Sequence, residues 1–418
     1  MTSRIASPKR WSASLPLLLA LTTLLPSCSD DKQDGAASSA TGGSSKGGTT
    51  STAGGKPAGS GGAGGTKPIG STGKSSAADI ARKLGREPNF LIGMGNDLPK
   101  DYKWENSGIY TLGTPLDLHY IYLTMGWQDW NPGGLFPQII GKVDMMKGAA
   151  PMVSVYAITG LGENTFGVLV KDDYMKAYWD NAKLLMTRYA ELNAPAIIHL
   201  EPDFWAFSQQ KSGGDPATVP AHLHPDCKDL PNDISGMARC WIQLARDNAP
   251  KVVIGLHASE WAAGSGTEVG NYLNKLGAAE SDVVMIDMLD RDAGCFEDAK
   301  LMQCMRGGKF YLDETNATSP NYAERLDFAK QVHTATGKPI LWWQLPFGVP
   351  SDKPGGTPGH FRDNKVHYLF SHIQEFVDAG GVGAAFGAGA GDQTFVDTDG
   401  GQLAKAVKAY YAAPVALP

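Results

Sequence analysis

Between Ala78 and Pro414 short apolar runs alternate with amphipathic stretches, and this alternation leaves few folds open to the chain. The runs are Phe90–Met94, Leu116–Leu123, Pro151–Ile158, Ala196–Leu200, Val252–His257, Val283–Met288, Pro339–Gln344 and Val382–Phe386. Each is too short for a buried helix and reads as a strand covered on both faces. Helical periodicity fills most of the intervals: Tyr174 to Leu192, Met237 to Ala245, Tyr322 to Thr336, Val366 to Val377 before Gly380, and Gln402 to Tyr411. Strands that alternate with helices make a parallel sheet, and eight of them close it into a barrel. The expectation is an α/β fold, a (β/α)8 TIM-type barrel. Asn96–Thr114 has no clear helical period, so the first helix is expected to be missing or irregular, and Lys309–Asp313 could add a strand. A doubly wound open sheet is the competitor, but no Gly-x-Gly-x-x-Gly follows the first strand.

Ahead of this domain, Arg4, Lys9 and Arg10 precede an apolar run from Leu15 to Leu25. That run is shorter than the roughly 20 residues that span a bilayer, and reads as a secretory signal. Leu25-Pro26-Ser27-Cys28 resembles the lipobox of bacterial lipoproteins, with Pro26 where a small or aliphatic residue is usual. The resemblance implies a signal over residues 1–28, acylation of Cys28, and a membrane anchor in the bacterial cell envelope facing the periplasm or exterior. Residues 29–78 are mostly Gly, Ser, Thr and Ala. Such a segment cannot bury enough apolar surface to offset its ordering entropy, so a disordered tether is expected before a domain over 79–418.

The chain carries 43 acidic against 37 basic residues, with no basic cluster in the folded part, which argues against nucleic acid. Phosphate loops and a Gly-x-Ser-x-Gly nucleophile elbow are absent. Cys227, Cys240, Cys295 and Cys304 follow Cys28, and an even number in an exported chain suggests two disulfides. Three pairings are open; Cys227–Cys240 and Cys295–Cys304 join nearest neighbours. A monomer without cofactors is expected.

Residues just past the strands of a barrel share one face, where barrel enzymes place their catalytic groups. Here they include Trp127, Asp129 and Trp130, then Glu201, Asp203, Phe204 and Trp205, then Glu260 and Trp261. Asp287, Asp290 and Asp292 follow the sixth strand, Trp342, Trp343 and Gln344 end the seventh, and Asp392 follows the eighth. Taken singly, any tryptophan could plug the barrel and any aspartate could cap a helix. Six of the ten tryptophans on one face, beside carboxylates, point instead to a carbohydrate stacked on indole rings. Glycoside hydrolysis needs two carboxyl groups flanking the bond. Alternation along the fourth strand turns His199 and Glu201 the same way, and apolar neighbours would keep Glu201 protonated as a general acid. Asp287 is its expected partner, followed by Asp203, Asp290 and Asp292. Expected substrate contacts are Trp127, Trp130, His199, Trp205, His257, Glu260, Trp261, Trp342, Gln344 and Asp392. His119, His199 and His257 could converge on a metal, but the first strand has no His-x-His, so they read as core or sugar-binding residues with no metal required.

Over Phe90 to Tyr411 the chain resembles TIM-barrel glycoside hydrolases. In their large retaining clan an Asn-Glu pair ends the fourth strand and a second Glu ends the seventh. Leu200-Glu201-Pro202 keeps the Glu and Trp343-Gln344 has an amide in place of the second. Glu201-Pro202-Asp203 and Leu289-Asp290-Arg291-Asp292 resemble motifs of the family 6 cellulases, though in the opposite order, and the likeness implies a general acid at Asp292. The resemblance implies an extracytoplasmic glycoside hydrolase acting on a polysaccharide or oligosaccharide. A non-catalytic carbohydrate-binding barrel and a metal-dependent ester or amide hydrolase are the alternatives.

Overall fold

The computed structural model describes residues 75–95, 107–162, 165–288, 311–350, 361–362, 364–387, 396 and 399–418. Its centre is a closed barrel of eight parallel strands, each hydrogen-bonded to the next in chain order, with the last returning to the first. They are β1 (Leu91–Gly95), β2 (Leu118–Leu123), β3 (Ala150–Val155) and β4 (Ala196–Leu200). Next come β5 (Val252–Ala258), β6 (Val283–Ile286), β7 (Ile340–Leu345) and β8 (Gly381–Phe386). Every expected apolar run is thus a barrel strand, shifted by a few residues at most at its ends.

The helices are α1 (Ala77–Lys83), α2 (Gly108–Thr111), α3 (Phe136–Lys147), α4 (Asp172–Leu192), α5 (Phe204–Lys211) and α6 (Ile234–Asn248). After them come α7 (Gly266–Lys275), α8 (Tyr322–Thr336), α9 (Lys365–Ser371), α10 (Ile373–Asp378) and α11 (Gln402–Ala412). Between β1 and β2 the described residues hold the four-residue α2, and the rest of Asn96–Thr114 lies mostly outside them. The stretch expected as one helix over Val366–Val377 is broken at His372 into α9 and α10. Of the additional strand expected over Lys309–Asp313, the described part contributes one isolated bridge, Asp313 to Asn321.

Side chains from alternate strand positions fill the lumen. Tyr122 of β2 is in register with Ser154 of β3, His199 of β4 and Gly255 of β5, so these four share one level of the barrel. Below them Tyr120 lies 5.9 Å from the Trp343 ring. It fits because Gly95 has no side chain: a Cβ there would come within 2.4 Å of the Tyr120 ring. The opposite strand positions meet the helices, as where Trp342 packs between Phe90 and Phe376.

The ends of the described domain meet. Val415 accepts from the Phe90 amide, Pro88 from Leu417, and Pro418 from Ala78, all beside the N-terminal end of β1. Cys227 and Cys240 are disulfide-bonded, tying the segment before α6 to that helix. Cys28, Cys295 and Cys304 lie outside the described residues.

Candidate active site

At the C-terminal mouth of the barrel, where β4, β5 and β6 end, Asp203, His257 and Asp287 converge. One ligating atom from each lies within 4.8 Å of the others. Asp287 is the residue after Ile286 in β6 and its side chain is 10% exposed. Its carboxylate lies 3.8 Å from His257 Nε2. Asp203 begins α5 with φ 68° and makes no side-chain capping bond to that helix.

Beneath this cluster runs a buried chain of polar groups. His257 Nδ1 is 3.0 Å from His199 Nε2, and His199 Nδ1 is 3.1 Å from Ser154 Oγ. Both rings meet Trp343 edge-on, at 4.7 and 5.6 Å between centroids. Burial, and then the neighbouring His257, hold the His199 pKa well below the usual histidine value, so this ring is neutral. Opposite, Gln344 donates a 2.7 Å hydrogen bond to the Tyr122 hydroxyl across the lumen. Two aromatic residues line this side, because Tyr122 and Tyr156 pack edge to face at 6.1 Å.

Glu201, expected as the general acid, has a different place. Its φ of 41° breaks the alternation of β4 and sends its side chain away from His199 toward α4. It is 0% exposed. Its carboxylate accepts hydrogen bonds from the Ala157 and Ile158 amides at 3.1 and 3.0 Å. The Thr159 amide and the Tyr178 hydroxyl also donate to it. Trp241 in turn donates to Tyr178 at 2.8 Å. Desolvation outweighs these donors and raises the Glu201 pKa to about 7. Burial thus favours the protonated form, while the hydrogen bonds of this carboxyl run to the loop after β3 and to α4.

Several expected substrate contacts are likewise turned into the packing. Trp342 is wholly buried on the outer face of β7. Trp205 is buried with its indole N–H donated to Leu200 at 2.8 Å. Trp127 is buried beside Tyr178 and Trp241. His119 points outward, where Asp144 holds its Nδ1 at 2.7 Å, so it does not join the other two histidines. Trp130 is half-buried against Phe136. Glu260 is paired with Arg325. Trp261, tilted against Phe207 at 4.6 Å between centroids, is 44% exposed and offers an open indole face. Asp290, Asp292 and Asp392 lie outside the described residues.

Sequence reading placed Trp343 among the mouth tryptophans but expected Trp342 to contact substrate, and it did not name Tyr122 and Ser154 as companions of Trp343. Alternation could have found Tyr122 and Ser154. The place of Trp343 was hidden by a bulge: β8 pairs Ala385 with Trp343 but Phe386 with Leu345, so Gln344 is an extra residue with φ 57°. The bulge lets Trp343 and Gln344 both face inward.

No protein-family model and no curated protein matches the chain. Comparison with solved structures finds distant likenesses. Thermotoga maritima Cel5A, in complex with mannotriose, is 12% identical with a TM-score of 0.46, covering 78% of this chain and 98% of that one. The GH26 domain of a Prevotella bryantii endo-β-mannanase/endo-β-glucanase is 10% identical, TM-score 0.47, covering 80% and 94%. A D-psicose 3-epimerase from Clostridium cellulolyticum H10 is 11% identical, TM-score 0.38, covering 77% and 97%.

Proposed function

We propose that the protein is a glycoside hydrolase whose reaction centre is the barrel mouth at Asp203 and Asp287. The observation that carries this reading is that two carboxylates from different strand ends converge there, within 4.8 Å of each other. Hydrolysis of an O-glycosyl bond needs a proton at the leaving oxygen and negative charge or an activated water at the anomeric carbon. Carboxyl groups about 5–5.5 Å apart suit retention of configuration and wider pairs suit inversion. Gln344 and Tyr122 present amide and hydroxyl groups to a sugar, and Trp261 provides a stacking face at the rim. Glu201 takes no part in bond cleavage and holds the β3 loop in place. The same reading keeps the chain in the cell envelope, anchored through Cys28.

The test is incubation of the domain with a panel of polysaccharides, measuring new reducing ends. Asp287→Asn and Asp203→Asn should each lower cleavage by about 10²-fold or more, the usual order for losing an acid or base. Undiminished cleavage in both variants would sink this assignment. A silent carbohydrate-binding barrel would bind a glycan from the panel and cleave none.

A further inference from the structure

His257 raises a question that hydrolysis by Asp203 and Asp287 alone does not answer. The residue is 1% exposed, and its Nε2 has no hydrogen-bond partner in the structure. That nitrogen is aimed into the space between Asp203 and Asp287. An Asp287 carboxylate oxygen is 3.8 Å away. Hydrogen bonds of this type span about 2.7–3.2 Å, so the gap is too wide for one. Buried polar atoms in native proteins are almost always satisfied, and one facing two carboxylates is an exception that asks for a cause.

We propose that Asp203, His257 Nε2 and Asp287 are the protein ligands of a divalent cation of borderline hardness, such as Mn²⁺ or Zn²⁺. One imidazole nitrogen with two carboxylates is a donor set for these ions, since imidazole suits zinc and carboxylate suits manganese. Bonds of about 2.0–2.2 Å hold neighbouring ligands of a tetrahedral or octahedral ion about 3.0–3.4 Å apart. The 3.8 Å gap closes to that distance with a side-chain shift of a few tenths of an ångström. Three protein ligands leave coordination positions open toward the mouth, as at catalytic metal sites.

Groups behind His257 support the same assignment. A metal-bound histidine donates its second ring N–H to a fixed acceptor, which sets its tautomer. Here His257 Nδ1 can donate to His199 Nε2, and His199 Nδ1 to Ser154 Oγ, along contacts of 3.0 and 3.1 Å. This direction leaves the Nε2 lone pair facing the two acids. The Trp343 ring, packed edge-on to both imidazoles, keeps them from turning. The inference rests on the mouth being the reaction centre; in it Asp203 and Asp287 serve as ligands, and the cation binds water or vicinal sugar hydroxyls through its open positions.

The experiment is titration of EDTA-stripped, dialysed full-length chain with MnCl₂ and, separately, ZnCl₂ by calorimetry, with bound metal counted by mass spectrometry. One equivalent per chain is expected. His257→Gln and Asp287→Asn should each weaken binding at least about tenfold, the scale seen when even outer-shell groups of metal sites are lost. His222→Ala, which removes an exposed histidine paired with Asp172, should bind as the unaltered chain does. Circular dichroism checks that each variant is folded; if His257→Gln is not, Asp203→Asn replaces it. No stoichiometric binding of either ion, or binding that survives His257→Gln and Asp287→Asn unchanged, would overturn the proposal. Metal binding without cleavage of any glycan would sustain the cation site while removing the hydrolase reading. Cleavage by a chain that binds neither ion would do the reverse.

Discussion

At Glu201, hydrogen bonding and burial oppose one another. Amides of Ala157, Ile158 and Thr159 and the Tyr178 hydroxyl all favour the carboxylate, yet desolvation wins and the pKa rises to about 7 from an ordinary 4.5. The folded state therefore binds this proton more tightly than the unfolded chain does. The resulting stability is fully present below pH 4.5 and is lost as pH climbs through 7. A shift of this size is worth about 3 kcal/mol in all, of which about 2 kcal/mol falls between pH 5 and 8. Glu201→Gln keeps the shape and has no proton to lose. The stability advantage of the unaltered protein over this variant, measured by urea denaturation, should shrink by about that amount from pH 5 to pH 8. An advantage independent of pH would show that Glu201 does not titrate there.

Sequence pattern carried the strands further than the helices, and α7 shows why. Period-two and continuous apolar runs survive any local detail, so all eight strands could be read. Glycines at 266 and 270 make α7 look like loop, and α3 and α5 were not anticipated either. In the structure those glycines let α7 lie against α8: a Cβ on Gly266 would come 2.3 Å from the Phe328 carbonyl oxygen, and one on Gly270 would come 2.6 Å from Ala335 Cβ. Close approach between helices, which sequence does not display, outweighs the weak helix propensity of glycine. Gly266→Ala should thus destabilise by about 1–3 kcal/mol through overpacking, because a backbone oxygen cannot rotate away. Calorimetry should record a lower Tm; an unchanged or higher one would mean the helices can part without cost. The site was legible to a similar degree. His199, His257 and Asp287 face the lumen as strand alternation implies. Glu201 and Trp342 do not, because one positive φ and one bulge reset the alternation at the ends of β4 and β7. Such breaks are local backbone choices with no signature in hydrophobic pattern.

For the whole molecule, the proposed anchor can be tested directly. Cys28→Ala should move the chain from the membrane fraction to the soluble fraction, or leave an unprocessed precursor; unchanged membrane association would defeat the anchor. The hydrogen bonds that join Phe90 to Val415 and Ala78 to Pro418 bring the two ends of the described domain together. Chain entry and chain exit share the pole where the strands begin, and Asp203, His257 and Asp287 sit at the pole where they finish. The described domain thus gathers both of its ends at one pole of the barrel and opens its polar cluster at the other.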